Sequence, residues 1–152
     1  MEMTMAYVAA GLAVGLTGLG VTLGEAWVAK TAVDAQGKNP DLGGSLRSLT
    51  ILGLALVESA AIYGLVVMIL ILQKIGAEGF STGQAMGAAL AIALPGLAAG
   101  LGEAAIVVNA IKSILRNPAD AGNIRTNMII FIAIVESAAI YGLVSAILIL
   151  NK

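Results

Sequence analysis

The chain has 152 residues, 59% hydrophobic and 11% charged, with a mean hydropathy of +0.99. A soluble domain is about a quarter charged, and a soluble domain this small could not hide so much apolar surface from water. The formal net charge of -1 offers no basic face to nucleic acid, and the absence of cysteine and histidine excludes disulfides, thiolate metal sites and imidazole acid–base chemistry.

Four apolar stretches follow one another. The first runs from about Met5 to Ala29 and is rich in glycine. No basic residue stands ahead of it, so it reads as a mature span and not as a cleavable signal peptide. The second, about Leu49 to Leu72, holds a single charge, Glu58. A short polar turn, Gln73 to Gly79, leads to the third, about Phe80 to Val108, in which Pro95 predicts a kink. The fourth, about Thr126 to Leu150, holds one charge, Glu136. Each exceeds the ~20 residues a helix needs to cross hydrocarbon, and a backbone in lipid must satisfy its own hydrogen bonds. The predicted fold class is therefore an all-α membrane protein of four transmembrane helices. Lys30, Lys38, Arg47, Lys112, Arg116 and Arg125 gather around the loops after the first and third helices, and only Lys74 and Lys152 lie opposite. The positive-inside tendency puts both polar loops in the cytoplasm and both termini outside.

The chain is one helical hairpin written twice. Val57-Glu-Ser-Ala-Ala-Ile-Tyr-Gly-Leu-Val66 recurs unchanged at Val135 to Val144, an offset of 78. At that offset Leu23-Gly24-Glu25 meets Leu101-Gly102-Glu103, Asn39-Pro40 meets Asn117-Pro118, and Arg47 meets Arg125. A ten-residue identity containing Glu, Ser and Tyr is not apolar low complexity. The predicted units are 1–74 and 75–152, with the same orientation in the membrane.

Asn-Pro suits the tip of each hairpin, because proline fixes its own backbone and biases the preceding residue away from helix. Glu25 and Glu58 lie at equal distance from the first tip, and Glu103 and Glu136 from the second. At 1.5 Å per residue that distance is roughly 25 Å. The two carboxylates of a hairpin can therefore face each other at one depth. An intramembrane charge costs ~2.5 kcal/mol or more and usually marks an ion or proton pathway. Desolvation and a second carboxylate both oppose ionisation, so such a pair holds one proton with one cation, or two protons. The bland alternative is a protonated glutamate acting only as interhelical glue; four at repeated, depth-matched positions argue against it.

Ser59 and Ser137 follow the carboxylates of the second and fourth helices, and their hydroxyls offer oxygen ligands of the kind hard cations prefer. The alternative for each is a bond back to its own helix. Tyr63 and Tyr141 lie five residues after those glutamates, where a phenolic hydroxyl can donate to a carboxylate; Tyr63 is too deep in its span to be an interfacial anchor. Gly11, Gly15, Gly20, Gly24, Gly83, Gly87, Gly96 and Gly100 form small-xxx-small steps on the first and third helices only. Close backbone approach there predicts a tight inner layer of helices one and three, with two and four outside.

These residues resemble the proteolipid, or c-subunit, of rotary ATP synthases and ATPases, once per hairpin over nearly the whole chain. The matching features are the Gly-rich first helix, the loops Gly37-Lys38-Asn39-Pro40 and Leu115-Arg116-Asn117-Pro118, and the second helices Leu56-Val57-Glu58-Ser59 and Ile134-Val135-Glu136-Ser137. The resemblance implies a ring of identical copies that turns against a stator subunit. It implies that Glu58 and Glu136 carry the ion and that the loops (Lys38, Asn39, Pro40, Arg116, Asn117, Pro118) dock the central stalk. The chain is also similar to sodium-coupled members with a polar first-helix residue and Glu-Ser in the second. That likeness implies Na+, with H+ as the alternative, at Glu25, Glu58 and Ser59 and at Glu103, Glu136 and Ser137. Backbone carbonyls at Leu56 and Ile134 are expected to assist. Fused vacuolar-type chains usually look as if one hairpin has lost its carboxylate, whereas this chain keeps both and so carries two sites.

The expected function is that of an ion-translocating rotor-ring subunit in a membrane, most simply a prokaryotic plasma membrane, surrounded by lipid. The sequence has no Gly-rich phosphate loop, so no catalytic site and no organic cofactor are expected in it. A rival reading is a four-helix secondary transporter or channel, which would share parallel repeats and buried carboxylates.

Overall fold

The computed structural model describes residues 2–152. Met1, the start of the first predicted hairpin, lies outside the described residues. Five α-helices follow in order: α1 (Glu2–Lys38), α2 (Gly43–Val57), α3 (Ser59–Lys74), α4 (Thr82–Arg116) and α5 (Ala121–Leu150). Single 3-10 turns at Pro40–Leu42 and Pro118–Asp120 join α1 to α2 and α4 to α5. Helices α2 and α3 form one span interrupted only at Glu58, so four helical rods are long and apolar enough to cross a membrane.

The helices extend beyond the apolar runs that mark them. α1 continues past Ala29 to Lys38, and α4 past Val108 to Arg116. Polar residues near the tip do not end a helix, because each further turn satisfies its own backbone. Proline does end it. Asn39 and Asn117 adopt non-helical backbones (φ -143°, ψ 87° and φ -140°, ψ 80°). Both tips then repeat the same bonds: the Asn39 amide donates to Ala35 and the Asn117 amide to Ser113, at 3.1 and 2.8 Å. The polar loops thus shrink to four-residue turns, 39–42 and 117–120. At the other end, Phe80 lies before α4 and not within it. Ser81 opens that helix with a capping box: its hydroxyl accepts from the Gln84 amide at 3.2 Å, and its own amide donates to the Gln84 side chain at 2.9 Å.

The predicted layering appears in the packing. α1 and α4 make the most extensive contact of the fold, and α5 lies against α4. α4 is central: half of its most apolar window is buried (50%), against 22% for the α5 span. Glycine makes this approach possible. A Cβ added to Gly20 would lie 2.5 Å from the Leu97 carbonyl oxygen, and one on Gly24 would lie 2.7 Å from that of Gly100. Gly100 in turn leaves only 2.9 Å to Val21.

Pro95 does not interrupt α4, which is helical from Thr82 to Arg116. The rod formed by α2 and α3 breaks at Glu58, whose amide bonds to Leu54 and Leu56 carbonyls at the junction. Ser59 does not explain it, since Ser137 makes the same side-chain bond in the unbroken α5. The buried apolar side chains divide into two clusters along the rods. One includes Val21, Val57, Ala104 and Met128. The other includes Ala13, Val67, Ile92 and Ala146.

Candidate ion-binding site

The four glutamates within the apolar stretches, Glu25, Glu58, Glu103 and Glu136, fall into two unequal pairs. On α1, Glu25 is half-buried, and its carboxyl lies within hydrogen-bonding reach of Glu58 once one of them is protonated. Glu58 itself is exposed. On α4, Glu103 is fully buried, and neither of its carboxyl oxygens has a hydrogen-bond partner. It feels the charge of Glu136 on α5, which is half-buried.

The second pair gathers residues from both hairpins. The Tyr63 hydroxyl on α3 donates to Glu136 Oε1 at 2.6 Å, seventy-three residues away in the chain. Ser59 and Glu103 also lie close to that hydroxyl. A bond this short from a phenol to a carboxylate belongs to the charge-assisted class. Tyrosine thus acts across hairpins and not within its own. Its repeat counterpart Tyr141 is 68% exposed and makes no hydrogen bond among the described residues. The chain brings Tyr63, Ser59, Glu103 and Glu136 together and leaves Tyr141 outside.

The serines take the back-bonded geometry. Ser59 Oγ donates to the Leu56 carbonyl and Ser137 Oγ to the Ile134 carbonyl, both at 2.7 Å. Each hydroxyl oxygen keeps lone pairs free to accept or to ligate. The expected serine and carbonyl ligands are therefore neighbours of one another, one turn of backbone apart. Among the described residues no group of three or more His, Cys, Asp or Glu side chains converges. The residues brought together here, Glu103, Glu136, Tyr63 and Ser59, offer carboxylate and hydroxyl oxygens of the hard kind.

The loop residues sit apart from the carboxylates, at the hairpin tips. Lys38 pairs with Asp34 at 2.6 Å on an exposed turn. Arg116 donates to Ser113 Oγ at 2.8 Å. Asn39, Pro40, Asn117 and Pro118 form the turns already described. Arg125 ties the two hairpins near that end by donating to Ser48 Oγ at 3.1 Å.

A model of the ATP synthase c-subunit family matches the chain twice, over residues 8–71 and 86–149. The chain belongs to the ATP synthase c-subunit family. The two matches begin and end at the offset of 78 that the sequence repeat gives. Among its relatives are the ATP synthase c-subunits of Citrifermentans bemidjiense and Geotalea uraniireducens, each 41% identical over 69 residues, 45% of this chain and 76% of the relative. The chloroplastic ATP synthase c-subunit of Porphyra purpurea is 43% identical over 65 residues, 43% of this chain and 79% of the relative. The c-subunits are non-catalytic membrane proteolipids of an ion-transporting complex, and membership displaces the rival reading of a free-standing transporter or channel.

One arrangement near the site is not visible in the sequence. Thr17, Gly64, Gly96, Pro95 and Gly142 bring helices into close contact between the two apolar clusters. A Cβ on Gly64 would fall on the Thr17 hydroxyl oxygen, and one on Gly142 would lie 2.7 Å from Pro95 Cγ. The signal was present in part: Gly64 and Gly142 each follow a tyrosine of the repeated motif.

Proposed function

We propose that this c-subunit carries Na+, with H+ as the alternative, on Glu58 and Glu136, and that Glu25 and Glu103 are their protonated partners. The observation that supports this most strongly is Glu103. A fully buried carboxyl without a single donor is costly as an anion. It is tolerable beside Glu136 if it holds a proton while Glu136 faces a cation. Tyr63 keeps Glu136 turned towards that position, and Ser59 adds an oxygen.

In the mechanism, a cation entering from a stator subunit neutralises Glu58 or Glu136, and the neutral site then crosses the lipid-facing arc at tolerable cost. A stator cation displaces the ion on the far side. Membrane potential supplies ~2.3 kcal/mol per charge per 100 mV. Copies of the chain form the ring. The tips at Lys38–Pro40 and Arg116–Pro118 dock the central stalk on the cytoplasmic side of a prokaryotic plasma membrane, with both termini outside.

The test is the double variant Glu58→Gln with Glu136→Gln. Glutamine imitates the protonated acid, so folding and assembly are kept. Cation-coupled ATP turnover of the complex is expected to fall to background. Turnover that stays coupled to cation flow would show that other groups carry the ion.

A further inference from the structure

We infer that Thr17 is a positioning residue for the Glu136 site, acting through Gly64 on Tyr63. The inference rests on the reading of Glu136 as a cation carrier. Thr17 is 0% exposed and, with Glu103, is one of two buried polar side chains among the described residues. Its hydroxyl donates to the carbonyls of Ala13 and Val14, both at 3.0 Å, which fixes its rotamer. The fixed side chain is clamped on two sides. Its hydroxyl oxygen occupies the place where a Cβ of Gly64 would stand, and its methyl lies 2.5 Å from the place of a Cβ of Gly96. Thr17 therefore sets the distance from α1 to α3 and from α1 to α4 at once.

Tyr63 is the residue before Gly64. Its hydroxyl must reach from α3 to Glu136 on α5, and it arrives at 2.6 Å. A movement of α3 by a few tenths of an ångström at Gly64 is transmitted along one rigid helix to that bond. Charge-assisted bonds weaken steeply as donor and acceptor separate. The second hairpin repeats the arrangement with a different wedge. Pro95 stands at the position of Thr17, against Gly142, which follows Tyr141. Tyr141 is exposed and holds no carboxylate among the described residues. The wedge at Thr17 thus has a defined target, Glu136, in the other hairpin. A threonine serving only as core packing would have no such target.

The experiment uses the full-length chain in its native complex in membranes. Glu58 and Glu136 are modified with a carbodiimide, and each is quantified by mass spectrometry while NaCl, and separately pH, is titrated. In Gly64→Ala the new methyl meets Thr17 and the Ala13 carbonyl. The concentration of the protecting cation at Glu136 is expected to rise roughly tenfold or more, the scale of one lost bond to a charged group. Protection at Glu58, which is exposed and receives no bond from Tyr63, is expected to shift less than at Glu136. Thr17→Ser, which keeps the hydroxyl, is expected to remain close to wild type. If Gly64→Ala does not assemble, Thr17→Ala carries the test, since it only removes atoms, and its shift should again be larger at Glu136 than at Glu58. An equal shift at both glutamates, a shift at Glu58 alone, or no shift at Glu136 overturns the inference. Absence of cation protection in the wild type overturns the carrier reading and this inference with it.

Discussion

Tyr63 and Tyr141 occupy identical sequence contexts, yet among the described residues Tyr63 holds a carboxylate and Tyr141 does not. The difference lies in what faces each of them. Tyr63 points into the second hairpin, whereas Tyr141 points away from the first. Tyr63→Phe removes the donor and little volume. It is expected to weaken cation protection at Glu136 by roughly tenfold, the scale of a hydrogen bond to a charged group. Tyr141→Phe is expected to leave Glu136 unchanged. Site-resolved carbodiimide labelling checks both. Equal effects of the two substitutions on Glu136 would contradict the cross-hairpin geometry.

The glycines of α1 differ sharply in what surrounds them. Gly20 faces the Leu97 backbone at 2.5 Å, whereas a Cβ on Gly37 would meet nothing within 4 Å. Gly20→Ala must push two backbones apart, an overpacking cost of typically 1–3 kcal/mol. Gly37→Ala is expected to be neutral, or stabilising by up to about 1 kcal/mol through helix propensity. Thermal unfolding of the two variants in the same detergent measures the contrast, and a Gly37→Ala loss equal to that of Gly20→Ala would contradict it. The spans themselves were legible because runs of more than twenty apolar residues leave little choice of structure. Their ends were not, because the polar residues from Lys30 to Lys38 continue the helix to the Asn-Pro stop. Pro95 lies inside α4 without ending it, and its ring stands as a wedge against Gly142, a contact that no local sequence feature announces.

At the scale of the whole chain, duplication decides what the site can be. The four glutamates, the serines and the repeat were all visible in the sequence, since each is a local feature. The partnership of Tyr63 with Glu136 was not, because it depends on how one hairpin packs on the other. The same packing explains the inequality of the pairs: Glu103 is enclosed by both hairpins, whereas Glu58 lies at the open edge of the chain. The proposal places two carriers in each chain, one for each retained carboxylate pair. The most direct test is carbodiimide labelling of the wild-type complex in membranes, read separately at Glu58 and Glu136 while sodium is raised at fixed pH. Both residues are expected to be modified, and sodium is expected to protect both. Protection by protons alone would replace Na+ with H+ as the carried ion. Failure of either cation to protect Glu58 and Glu136 would contradict the assignment of these carboxylates as carriers.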